Sequence, residues 1–259
     1  MRNLSDAILA VYLVLNGAEW LFLFSGDAIK PFADRSAVVL RMQDRGWPSM
    51  MAKTFGSAIA IIGPRLFATA IIVCGFVLFS TAIRSEVSPI VSATAFLLVL
   101  LFNSTIGFGL EGSDQMAILV LFANAAGSIS PNWQTIAEMF IFFQLVLSYG
   151  VAGVAKLLSR DWRNGDALPK ILSSRSLGIG QVPRPFRDRR LGIVACWVII
   201  VFEIAWFSAP FGEYFLYPLL AIAAFFHLAN NWLMGLNLFS WAFISAYPLA
   251  INASRHLHS

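Results

Sequence analysis

Lys156 ends an apolar, glycine-notched run, Ser148-Tyr149-Gly150-Val151-Ala152-Gly153-Val154-Ala155-Lys156-Leu157, with Asp161-Trp162 and Gly165 close behind. An amine in that setting has two chemistries open to it. Its long stem lets it snorkel, anchoring a helix end among headgroups. Close packing would instead desolvate it, favour the neutral amine and supply a general base. Tyr149 lies seven residues back and Gly153 three back, on one helix face. Gly150, Gly153 and the neighbouring alanines allow another helix to approach closely. The spacing leaves both readings open, with snorkelling the simpler.

His227 is the second candidate, within Ala223-Ala224-Phe225-Phe226-His227-Leu228-Ala229-Asn230-Asn231. Asn230 and Asn231, three and four residues on, share its helix face. Such a cluster either glues helices by hydrogen bonds or forms a polar cavity in which His227 holds or passes a proton. Glu203, between Phe202 and Trp206, is the most deeply embedded acid. It would pair with Lys156 or Arg65, or stay protonated. Other polar groups in or beside apolar sequence are Glu19, Arg65, Arg84, Asn103 and Asp114; at bilayer depth a charge needs a partner, a wet cavity or a task. Arg84 is placed to reach headgroups, and Asp114 is expected to cap the helix that follows it.

These groups must be carried by membrane helices. The 259 residues are 58% hydrophobic and only 12% charged, about half the charge of a soluble domain, with a mean hydropathy of +0.74. Apolar segments fall at about 4–25, 55–82, 87–108, 114–127, 134–158, 191–209, 214–230 and 232–251. Most suffice to cross a ~30 Å hydrocarbon core. The alternating pattern of a membrane barrel is absent. The expectation is an all-α, polytopic transmembrane helical bundle of seven to eight hydrophobic segments, forming a single domain over residues 1–259. Gly63-Pro64-Arg65 should break the over-long second segment, and the first segment reads as a retained helix.

Polar loops near 26–53 and 159–190 hold most of the basic residues. An even number of spans separates them, so the positive-inside rule puts both in the cytoplasm. Asp34 to Trp47 reads as a short amphipathic surface helix. The net charge of +4 therefore points to lipid headgroups and topology, and not to nucleic acid. Cys74 and Cys196 lack disulfide or metal spacing and read as small buried hydrophobes. His256 and His258 lie on a tail expected to fray, and no metal site is expected.

The run Tyr149 to Leu157, with Asp161-Trp162 and Gly165, resembles the Ala-Gly-Val-Lys-Lys-Leu…Asp-Trp…Gly motif of vitamin K-dependent γ-glutamyl carboxylase. Phe226-His227-Leu228-Ala229-Asn230, then Leu236, Phe239-Ser240 and Pro248, is similar to that family's later histidine-bearing helix. The pattern covers roughly residues 60–250 and resembles the bacterial branch known as the HTTM (horizontally transferred transmembrane) domain. The resemblance implies a membrane enzyme of quinone-linked redox or peptide-modifying chemistry. Lys156 would be the base and His227 a proton partner, while Tyr149, Glu203, Asn230 and Asn231 would line the site of a lipid quinone or vitamin K-like quinol. It also implies a bacterial cytoplasmic-membrane location, a small secreted peptide as substrate and a separate partner protein.

The departures are specific. Ala155 stands where the family has its first lysine, and Glu111-Gly112-Ser113-Asp114-Gln115 replaces an Asn-Asn-His-Ser segment. The family's large luminal substrate-binding region is expected to be missing, and the family places the segment after the lysine on the opposite side from the one the charges suggest. The alternative is a non-enzymatic assembly factor or small transporter-like subunit, in which Lys156, Glu203 and His227 form a structural network or proton path.

Overall fold

The computed structural model describes residues 2–24, 49–54, 63–105, 112–174 and 182–258, and the regular elements among them are all helical. In chain order the main helices are α1 (Arg2–Leu23), α2 (Pro64–Ile83), α3 (Pro89–Thr105), α4 (Gly112–Gly127) and α5 (Pro131–Leu158). Two short helices follow, α6 (Arg160–Arg163) and α7 (Ala167–Ser173). Next come α8 (Arg189–Ala205), extended by a 3₁₀ turn (Trp206–Phe211), then α9 (Glu213–Met234) and α10 (Asn237–His258). Three helices open on proline, whose missing N–H and fixed φ suit a first helical position. The α2 proline follows Gly63 at φ +86°, which is where the second apolar segment was expected to break. At α8 the Asp188 carboxylate accepts from the Arg190 N–H at 2.8 Å, an N-cap.

Every apolar segment read from the sequence coincides at least in part with a helix, but only five helical stretches are long and apolar enough to cross a membrane. They are Arg2–Leu23, Pro64–Ile83, Pro131–Leu158, Arg189–Phe211 and Glu213–Met234. The protein is thus a multi-pass, all-helical membrane protein with five such spans among the described residues. The described parts of the other apolar segments are shorter or more polar. α3 and α4 have 17 and 16 residues, about 25 Å at 1.5 Å per residue. In α10 the last turns carry Asn252, Ser254, Arg255, His256 and His258. The surface helix expected over Asp34 to Trp47 lies outside the described residues.

The chain forms two compact units. The first comprises Met1–Ala137 with Trp241–Pro248, the second Glu138–Ser240 with Leu249–Ser259. In the first, α1 lies directly against α2. A Cβ at Gly17 would sit 2.8 Å from the Ala68 carbonyl oxygen, and one at Gly75 would sit 3.0 Å from that of Ala10. Small residues let the backbones meet there. Between α1 and α4, Asn124 Nδ2 donates to Asp6 Oδ1 at 2.8 Å and to Ser5 Oγ at 3.2 Å. Further along, Tyr12 Oη donates to Asp114 Oδ1 at 2.6 Å. Asp114 is therefore not the cap expected from the sequence: α4 already begins at Gly112, and the buried carboxylate turns to α1.

The second unit is built on close approach of α5 and α8. A Cβ at Gly153 would lie 2.8 Å from the Ile204 nitrogen and 2.9 Å from the Glu203 Cβ. The glycine notch seen in the sequence is thus what lets α8 bring Glu203 alongside the end of α5.

Candidate functional site

Lys156 stands in the last turn of α5, where exposed helix carbonyls favour a cation. Its Nζ lies 2.8 Å from Glu203 Oε1 and 2.6 Å from Oε2. The two side chains are 21% and 5% exposed, so the carboxylate is almost wholly enclosed while the amine retains a path outward. The Trp162 ring centroid lies 5.1 Å from the same nitrogen, within cation–π range. Of the partners open to Glu203 from the sequence, the structure selects Lys156. Arg65 instead donates from Nε and Nη2 to the Phe24 carbonyl, at 3.0 and 2.8 Å.

Two turns earlier on α5, Tyr149 reaches α9. Its hydroxyl lies 2.5 Å from His227 Nε2, and both residues are buried. Which atom carries the shared proton depends on the histidine tautomer. The Tyr149 ring stacks on Trp206, with centroids 4.3 Å apart and planes 10° from parallel. Phe202 meets Tyr149 edge-on at 5.8 Å, and Phe226 and Phe239 flank His227. Glu203 and Trp206 are three residues apart and so share a face of the α8 continuation. Four groups from sequence positions 149, 156, 203 and 227 thus converge as two pairs.

The asparagines do not join these pairs through the described hydrogen bonds. With its amide nitrogen facing the acceptors, Asn231 donates to the Leu236 carbonyl, to Ser240 Oγ at 3.2 Å and to the His227 carbonyl at 3.3 Å. The α9–α10 turn it ties needs a left-handed residue, which Gly235 supplies at φ +68°. Asn230 is half-buried and makes no side-chain hydrogen bond among the described residues.

Comparison of the chain with family models, curated proteins and solved structures finds no match. What the site can do must therefore be argued from its atoms. Both pairs place a proton donor against a proton acceptor, and both are walled by apolar or aromatic side chains.

Two features escaped the sequence reading. Trp206 is fully buried, and its indole Nε1–H has no hydrogen-bond partner among the described residues, an uncommon state for a buried donor. Only the aromatic density around Glu203 hinted at it. The second feature is a contact at the far end of α5. Asn252 Nδ2 donates to Glu138 Oε1 at 2.9 Å, and His256 Nε2 lies 3.3 Å from Oε2. The tail expected to fray is helical to His258 because this contact, with Arg255 Nε 3.5 Å from Glu213 Oε1, secures it. The i, i+4 spacing of Asn252 and His256 was the available signal, and it needed the buried Glu138 to give it meaning.

Proposed function

We propose that the protein is a membrane enzyme whose second unit handles the protons of a lipid-borne quinone or quinol, within the bacterial cytoplasmic membrane. The observation that carries this reading is the buried Tyr149–His227 pair, with Tyr149 stacked on a Trp206 whose N–H has no hydrogen-bond partner among the described residues. A quinone offers a flat ring and carbonyl acceptors. Tyr149 and Trp206 are stacked on each other at 4.3 Å, so a quinone would enter only by parting the two rings, with the indole N–H then its donor. Bound there, a quinol would supply two electrons and two protons. His227 and Tyr149 would hold or pass one proton through their shared hydrogen bond. Lys156 would become a base by yielding its own proton to Glu203, leaving a neutral amine beside a neutral carboxylic acid. The glycine-notched motif resembling the carboxylase family supports peptide-modifying chemistry, with a small secreted peptide as substrate and a separate protein to present it.

The test is chemical. Protein purified from native membranes in mild detergent is extracted with organic solvent and its quinone quantified, for wild type, Trp206→Phe and Tyr149→Phe. The reading expects near-stoichiometric quinone in the wild type and a large loss in Trp206→Phe. Equal trace amounts in all three would sink it.

One observation favours a second reading. Both Glu203 oxygens face the Lys156 nitrogen, as a helix-fastening ion pair would arrange them. The protein would then be an assembly factor or transporter-like subunit, and Lys156→Arg would preserve cellular activity where Lys156→Ala would not, since arginine keeps the charge but gives up no proton.

A further inference from the structure

The contact at the other end of α5 has a geometry that the quinol reading does not use. Glu138 is 1% exposed, yet its Oε2 lies 3.3 Å from the Nε2 of His256, whose side chain is 48% exposed. Asn252 holds the other oxygen. The buried carboxylate thus has one neutral amide donor and one partly exposed imidazole beside it. An imidazole has two ring nitrogens and can take a proton at one while giving one at the other.

The remaining charged and titratable groups named at this end are Arg255 and His258 on α10, and Glu213 and Tyr217 on α9. A hydrogen bond with Tyr217, then the nearby Glu213, raises Arg255 above its ordinary value. Arg255 is thus a fixed cation tied to α9, not a proton carrier.

Position along α5 sharpens the point. Eighteen residues separate Glu138 from Lys156, five turns at ~3.6 residues each, so both lie on one stripe about 27 Å apart. That length approaches the ~30 Å thickness of the hydrocarbon core. Tyr149 falls on the same stripe, and between it and Glu138 stand Ile141, Phe142 and Leu145, all 0% exposed. The two polar ends of the stripe are separated by an apolar block.

We propose that Glu138, Asn252 and His256 form a proton-exchange site at the end of α5 opposite Lys156, with His256 passing protons between water and the buried carboxylate. In uptake the imidazole takes a proton from hydronium at its outer nitrogen, releasing water, closes from 3.3 Å to hydrogen-bond distance and gives the Nε2 proton to Glu138 Oε2. The products are a neutral carboxylic acid and a neutral imidazole, which resets by ring rotation, and no electrons move. Asn252 stays hydrogen-bonded to Oε1 in both states and fixes the carboxyl orientation. The proposal goes beyond the quinol reading and stands without it, because the apolar block lets each end exchange protons alone.

The experiment uses the full chain in lipid nanodiscs and infrared spectroscopy of the carboxylic-acid carbonyl stretch as pH is lowered and then jumped. The wild type should show a buried-acid band that Glu138→Gln removes. His256→Gln, which retains an amide donor but cannot relay a proton, should keep the band and slow its appearance about tenfold or more, in line with general acid–base contributions. Circular dichroism and thermal unfolding establish that both variants fold. Absence of an acid band that responds to Glu138→Gln would overturn the proposal, as would a folded His256→Gln that exchanges at the wild-type rate.

Discussion

One buried carboxylate in each unit meets a different kind of donor. In the first, the Asp6 carboxylate receives an amide from Asn124 at 2.8 Å. In the second, the Glu203 carboxylate receives an ammonium from Lys156 at 2.6 Å, and a phenol meets an imidazole at 2.5 Å. An amide N–H fastens a carboxylate but cannot give its proton away, whereas an ammonium can. The contrast holds between these contacts and not between whole units, because Tyr12 gives Asp114 a phenol in the first and Asn252 gives Glu138 an amide in the second.

The largest expected effect comes from breaking the charged pair. Lys156→Ala leaves the enclosed Glu203 carboxylate without its cation and should cost about 3 kcal/mol, measured by reversible denaturation in mixed micelles. Asn124→Ala removes a neutral donor from Asp6 and should cost about 1–2 kcal/mol. Equal losses would break the comparison. Next, Gly153→Leu overpacks the α5–α8 approach. It should cost about 2 kcal/mol and push Glu203 away from Lys156, which cysteine cross-linking at flanking positions would report as a lost contact. Tyr149→Phe removes the hydroxyl paired with His227 and should cost about 1 kcal/mol, accompanied by a change in the His227 imidazole NMR resonances.

The smallest effect belongs to the exposed pair of Lys170 and Asp161, at 2.8 Å. The hydrogen bond to the Asp161 carboxylate holds Lys170 above its ordinary value. A raised lysine contributes fully below its unfolded pKa and loses that contribution as pH climbs through the folded value. Its effect is thus present at neutral pH and fades in the alkaline range, near or above ~10.4. Because the pair is solvated, Lys170→Ala should leave thermal unfolding unmoved at pH 7. A large shift there would show that a surface pair acts like the buried one.

Helix positions were legible because apolar runs, helix-opening prolines and glycine breaks are local signals. Gly63-Pro64 marked the start of α2, and Gly150 with Gly153 marked a close helix approach. Partner choice was less legible, because it depends on which faces meet. Lys156, Tyr149, Glu203 and His227 stood out individually as polar groups in apolar sequence, yet their sorting into Lys156–Glu203 and Tyr149–His227 required the α5–α8 and α5–α9 contacts. Asp114 looked like a cap because its surroundings in the chain are cap-like, while its partner Tyr12 lies about a hundred residues away. His256 looked like a frayed-tail residue because nothing in the tail names Glu138. Apolarity marks seven or eight segments, and five helices among the described residues are long and apolar enough to cross a membrane.

The central claim is that the polar core of the second unit is kept for proton chemistry rather than for stability. The most direct measurement replaces the ion pair with apolar residues of similar size, Lys156→Met together with Glu203→Leu, and compares quinol binding and quinol-driven proton release with stability in the same preparation. A buried ion pair exchanged for a packed apolar pair often leaves stability unchanged or improved. The account predicts a folded protein within about 1 kcal/mol of the wild type that has lost quinol-driven proton release. Wild-type proton release in that double variant would contradict it.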